Sequence, residues 1–217
     1  MKVPRESPRW LPHGRWFCYR PPQKRAAFTL IEMLITLALM LIMMMMLYGF
    51  GSKGHQQRQK KACQKNLQKV YVAMEIFANE HDGTFPMLPN AATAEEPLAL
   101  LVPRYTADTS CFICPGSKDA QLPSGESFAK RQISYAYFMG RQLTHSAELL
   151  MTDKQVSTQQ KTSGEEIFST TGKLPGNNHH KYGGNYLFCD GHIEMSSAKA
   201  PFPLVWPEGV MLLNPKP

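Results

Sequence analysis

The sequence predicts an α+β protein: a long N-terminal helix, membrane-spanning in its first half, packed on a small antiparallel β-sheet formed late in the chain. Three observations predict it. Residues 28–50 are an apolar run. Residues 55–80 carry apolar side chains at helical spacing. Residues 133–195 hold short runs rich in aromatic and β-branched residues, the last two joined through Asp190-Gly191.

Taken in order, residues 1–27 are rich in Pro and Arg, with Trp10, Trp16 and Phe17 interspersed, and predict no fold. They hold seven Lys/Arg and one acidic residue, so most of the formal net charge of +7 sits there. The rest of the chain is nearly neutral, and the basic pI implies no nucleic-acid partner.

The run 28–50 has 23 residues, roughly 34 Å as a helix, against about 30 Å of bilayer hydrocarbon. Its one charge is Glu32. A carboxylate at membrane depth costs about 2.5–3.5 kcal/mol, which makes Glu32 a candidate functional residue. A secretory signal peptide would be shorter and followed by a small-residue cleavage site, whereas Tyr48, Gly49, Phe50 and Gly51 follow here. A plain signal anchor fits the length and leaves Glu32 unexplained. A third reading places a cut before the run, between Ala27 and Phe28.

Ala27-Phe28-Thr29-Leu30-Ile31-Glu32, preceded by Lys24 and Arg25, resembles the cleavage and methylation site of type IV prepilins and type II secretion pseudopilins. Ala27 stands where that family usually has Gly. The resemblance implies cleavage between Ala27 and Phe28 by a prepilin peptidase, N-methylation of Phe28, and a role for Glu32 in assembly with other pilin or pseudopilin subunits. It also implies a cytoplasmic leader at 1–27, a single span through the inner membrane at 28–50, and an extracytoplasmic head. Charge bias alone does not settle this orientation, because residues 53–69 are also basic. The partners expected are the peptidase, sister subunits and the lipid bilayer; no catalytic residue is expected.

Gly49, Gly51 and Gly54 predict a bend or a meltable hinge after the span. Residues 51–84 read as the extramembrane half of the helix. Cys63, Leu67, Val70, Met74 and Phe77 form one stripe, flanked by Tyr71 and Ala78, with Lys60, Lys61, Lys65 and Gln68 assigned to other faces. The basic residues of 53–69 could face lipid headgroups or simply solvent. Asp82-Gly83 and Phe85-Pro86 end the helix.

Residues 85–217 read as a globular head. A short helix is expected around 95–102, stopped by Pro103, and mostly loop over 104–130. Strands are expected at 133–139, 148–152, 185–189 and 192–195, with a long polar loop at 154–178. The tail 199–217 contains five prolines and is expected to wrap the surface. The resemblance extends here too. Cys63-Gln64-Lys65-Asn66-Leu67, Phe112-Ile113-Cys114-Pro115, Ser134-Tyr135-Ala136-Tyr137 and Leu149-Leu150-Met151-Thr152-Asp153 are similar to elements of one pseudopilin group. His180, nine residues, then Asp190-Gly191 resembles the prepilin-type, processing-associated "H-X9-DG" proteins. A pilin-like fold is what these matches imply.

His179, His180, Cys189, Asp190 and His192 are the densest set of metal-ligating residue types, with Asp153 as a further oxygen donor. The first reading is structural: Asp190-Gly191 forms a two-residue turn and His180 braces the hairpin. The alternatives are a hard divalent cation held through Asp, or zinc. No other cofactor is implied. Among Cys63, Cys111, Cys114 and Cys189 the expectation is two disulfides and no free thiol in an oxidising compartment, with three pairings open. Cys111-x-x-Cys114 lacks the βαβ context of a redox motif. A single-pass membrane-anchored protein whose head binds a ligand or metal is the alternative to a filament subunit.

Overall fold

The computed structural model describes residues 28–119 and 127–217, with side chains omitted at 48–53. The elements are α1 (Leu30–Glu80), α2 (Glu95–Leu98), β1 (Tyr135–Met139), β2 (Leu149–Asp153), β3 (Gly184–Phe188), β4 (Ile193–Ser196) and β5 (Met211–Leu213). The chain divides into two compact units between Leu47 and Tyr48.

The first unit is the start of α1. Thr29 precedes it, and the Glu32 amide donates to the Thr29 carbonyl at 3.0 Å and to Thr29 Oγ1 at 3.4 Å. Thr29-Leu30-Ile31-Glu32 therefore has the Ser/Thr-x-x-Glu pattern of a helix N-terminus. Leu30–Leu47 is long and apolar enough to cross a membrane, and none of it is buried within the chain. The backbone is helical through Gly49, Gly51 and Gly54, so these glycines do not interrupt the helix.

The second unit is α+β. Its five strands lie in the order β4-β3-β2-β1-β5, all neighbours antiparallel. The expected stripe of α1 is buried from Cys63 to Ala78. It packs on one sheet face against Tyr135, Tyr137 and Met139 of β1, Leu187 of β3 and Leu213 of β5. The alternate residues, Ala136, Phe138, Tyr186 and Leu212, point the other way, as a period of two requires. They are covered by Ile167, Phe168, Ala200 and Leu204.

Two expectations about the later chain are corrected. The Pro-rich tail does not merely wrap the surface: Met211–Leu213 pairs with β1, Tyr137 opposite Leu213 and Met139 opposite Met211. Three residues are too few to show a period, which hid the strand. The polar loop is also tied down, since the Val156 amide donates to Ile167 O and the Ile167 amide to Ala198 O. It carries two of the residues that close the second sheet face. The apolar segment at 95–102 forms α2 and a 3-10 turn at Ala99–Leu101. Within 104–130, short 3-10 turns occur at Thr109–Phe112 and Phe128–Lys130.

Candidate functional site

Two places carry chemistry: the start of α1 and a buried polar cluster between α1 and the sheet. At the first, Ala27 lies outside the described residues. Phe28 is 72% exposed and Glu32 is exposed among apolar neighbours. Among the described residues no ion pair of Glu32 is formed.

The second is built around Asp153, the last residue of β2 and fully buried. Asp153 Oδ2 accepts from the Asn185 amide at 2.8 Å and from Asn185 Nδ2 at 3.0 Å. Oδ1 accepts from Asn178 Nδ2 at 2.8 Å. His179 Nε2 lies 3.3 Å from Asp153 Oδ2 and 3.4 Å from Cys114 Sγ. Burial alone would raise the Asp153 carboxyl; its electrostatic and hydrogen-bond interactions with His179, with the bonds from Asn178 and Asn185, outweigh that and hold it below the usual carboxylate range.

α1 contributes Cys63 and Lys60. Cys63 is disulfide-bonded to Cys114. The periodicity assigns Lys60 to another face than the apolar stripe, yet it is buried and donates to Tyr182 O at 2.8 Å and Ser196 O at 2.9 Å. Lys60 lies three residues before Cys63, so the apolar stripe extended back one step passes through it. Burial lowers its ammonium below the ordinary value, against the pull of Asp153. Gly116 is needed nearby, since a Cβ there would sit 2.4 Å from Asn178 O and 2.7 Å from His179 Nδ1.

The ligand set expected around the hairpin is corrected. Among the described residues, the His, Cys and carboxylate groups that converge are Cys63, Cys114, Asp153 and His179, with ligand atoms all within 4.8 Å of one another. Of the expected residues His179 and Asp153 belong to this set, while His180, Cys189, Asp190 and His192 do not, and Cys63 and Cys114 join it. His180 is exposed at φ +56°, beside Gly172. His192 is exposed and contacts Glu194 at 3.2 Å. Cys189 is buried at the hairpin, where its carbonyl accepts from Tyr71 Oη at 3.1 Å. Strand alternation and loop geometry send these side chains apart, whereas a loop residue just before β3 turns inward.

The hairpin also differs from a two-residue turn. The Phe188 amide donates to His192 O at 2.9 Å and the Gly191 amide to Phe188 O at 3.0 Å. Gly191 has φ +84°, while Asp190 is not at positive φ. The loop is therefore three residues, a type I turn closed by a glycine bulge. Asp190 Oδ1 accepts from the His192 amide at 2.8 Å and braces it.

The expectation of no free thiol is overturned as well. Cys63 pairs with Cys114 across 51 residues, while Cys111 and Cys189 are buried thiols. Burial pushes Cys111 to about 11 and Cys189 to about 12. Both are therefore protonated and poor nucleophiles at neutral pH.

Residues 22–48 match the family model described as the prokaryotic N-terminal methylation motif. No curated protein and no solved structure matches the chain. The motif marks a family of structural subunits rather than enzymes, and an apolar N-terminal helix bearing it fits a membrane-anchored pilin. The motif at 22–48, together with a helix packed on a small antiparallel sheet, supports a type IV prepilin-like family for this chain.

Proposed function

We propose that the chain is a pseudopilin-like or minor-pilin-like subunit that a prepilin peptidase cuts between Ala27 and Phe28. Its apolar helix then joins a type IV pilus or a type II secretion pseudopilus. The observation that carries this reading is the match at residues 22–48, which contains Phe28 and Glu32. Phe28 becomes the N-methylated terminus. The leader lies in the cytoplasm, the span in the inner membrane, and the head outside. Glu32 sits four residues after the new amine, where helix N-terminal charge favours an anion. Pairing with the amine of a neighbouring subunit sets the axial register of a head-to-tail filament, a contact that does not close on itself.

The test is the intact mass and N-terminal sequence of the membrane-extracted protein. A chain starting at Phe28 and heavier by one methyl group is expected. A mature pool that still begins Met1-Lys2, in cells with an active prepilin peptidase, overturns the reading.

A further inference from the structure

We propose that Cys63, Cys114, Asp153 and His179 form a zinc site in the reduced chain, the Cys63–Cys114 disulfide being the oxidised, metal-free state of the same pocket. This goes beyond the filament reading and does not depend on it.

Two edges of the required tetrahedron are already present, and all four ligand atoms lie within 4.8 Å of one another. Tetrahedral zinc with Zn–S about 2.3 Å and Zn–N and Zn–O about 2.0–2.2 Å puts S···N edges near about 3.6 Å and N···O edges near about 3.4 Å. The Cys114 Sγ···His179 Nε2 and His179 Nε2···Asp153 Oδ2 separations are 3.4 and 3.3 Å. Reduction lets the two bonded sulfurs open to about 3.8 Å, the S···S edge of the same tetrahedron. All four residues are buried, as a closed structural site requires. Two thiolates and an imidazole select zinc over magnesium or calcium.

The surrounding groups suit the exchange. Asp153 is oriented by Asn178 and Asn185, the hydrogen-bonded support that a ligating carboxylate uses. His179 Nδ1 is buried without a hydrogen-bond partner among the described residues, so the ring can carry its proton there while Nε2 binds the ion. Two thiolates and one carboxylate around Zn²⁺ leave a charge of −1, and Lys60 is the nearby cation on α1.

The chemistry balances with a dithiol as reductant. The dithiol gives two electrons and two protons to the Cys63–Cys114 bond and becomes a disulfide, leaving two cysteine thiols. Those thiols release two protons as Zn²⁺ binds. In reverse, a small-molecule disulfide accepts two electrons from the zinc-bound thiolates. It takes up two protons from solvent to become thiols, Cys63–Cys114 re-forms, and the ion is expelled.

The test uses the full-length protein in detergent, reduced with a dithiol, freed of reductant anaerobically and titrated with Co²⁺. Expected are one equivalent bound, the visible bands of a tetrahedral ion, and a near-ultraviolet thiolate-to-cobalt band. Zn²⁺ should bleach all of these. Oxidised protein should bind none, and adding a small-molecule disulfide should release one equivalent. Cys114→Ser and His179→Ala should lose the signal, while the triple variant Cys18→Ser, Cys111→Ser, Cys189→Ser keeps it. If the triple variant does not fold, zinc-edge X-ray absorption of the wild-type protein reads the ligands directly, and two sulfurs with two nitrogen or oxygen atoms are expected. The proposal is overturned by a reduced protein that shows no thiolate band, by bands that survive Cys114→Ser, by any sulfur count other than two, or by a reduced protein that unfolds and is not refolded by Zn²⁺.

Discussion

At Gly191 the backbone adopts φ +84°, and a Cβ there would approach the Tyr71 ring to 2.6 Å. A valine adds about 1–3 kcal/mol of backbone strain to that clash, and Tyr71 is held by its bond to Cys189 O. Gly191→Val should therefore lower the urea midpoint markedly, while His192→Ala, at an exposed site, should shift it little. Asp153 makes a separate prediction. Its folded carboxyl lies below the usual range, so its contribution is complete above the unfolded value of about 3.9. It is lost as pH falls through the lower folded value. Asp153→Asn should flatten the stability-versus-pH curve in that acid window, and an unchanged slope there would contradict the assignment. The thiols give a simple count. Labelling the unfolded, unreduced protein from Phe28 onward should mark two sites, Cys111 and Cys189, and labelling the native protein should mark neither quickly.

Among the elements, α1 and β5 depend most on distant partners. Lys60 joins α1 to the loop before β3 and to the end of β4 through two carbonyls. Lys60→Ala leaves the buried Ser196 carbonyl without this donor, a cost of about 1–3 kcal/mol, and the half-buried Tyr182 carbonyl open to water. Denaturant titration should show that loss, with Lys60→Arg recovering part of it. β5 is a short edge strand whose Leu212 and Leu213 fill opposite faces. Beyond it, the Lys216 carbonyl accepts from Lys154 Nζ at 2.7 Å, and its amide donates to Glu95 at 2.9 Å. Removing residues 211–217 should uncover β1 and both clusters, giving a head that aggregates. A truncated chain that stays monomeric with an unchanged midpoint would show the strand to be dispensable.

For the molecule as a whole, the decisive question is whether Glu32 acts by charge or only as part of the helix start at Thr29. Glu32→Gln preserves the Ser/Thr-x-x-Glu/Gln pattern and removes the charge, whereas Glu32→Ala removes both. If Glu32 pairs with a neighbouring subunit's amine, both variants should insert and be clipped, and both should fail to enter filaments as the sole copy. Incorporation of Gln but not Ala, read by shear fractionation and crosslinking, would reduce Glu32 to a helix-start residue. Neither outcome should alter the thermal midpoint of the head, which forms a compact unit from Tyr48 onward.

Local pattern was enough for the apolar run at 28–50, the stripe from Cys63 to Phe77, four of the five strands and the positive φ at Gly191. Each follows from periodicity or turn chemistry within a few residues. The buried cluster was not legible, because its members come from α1, the segment after a 3-10 turn, β2 and a loop. Spacing in sequence says nothing about which cysteines meet, and it does not separate His179, which the fold turns inward, from the exposed His180. Lys60 and β5 failed for a related reason: a single polar residue on an apolar stripe, or three apolar residues between prolines, shows no period of its own. Their places were settled by the backbone groups left over elsewhere, two carbonyls above α1 and one open edge of β1, which only the assembled sheet presents.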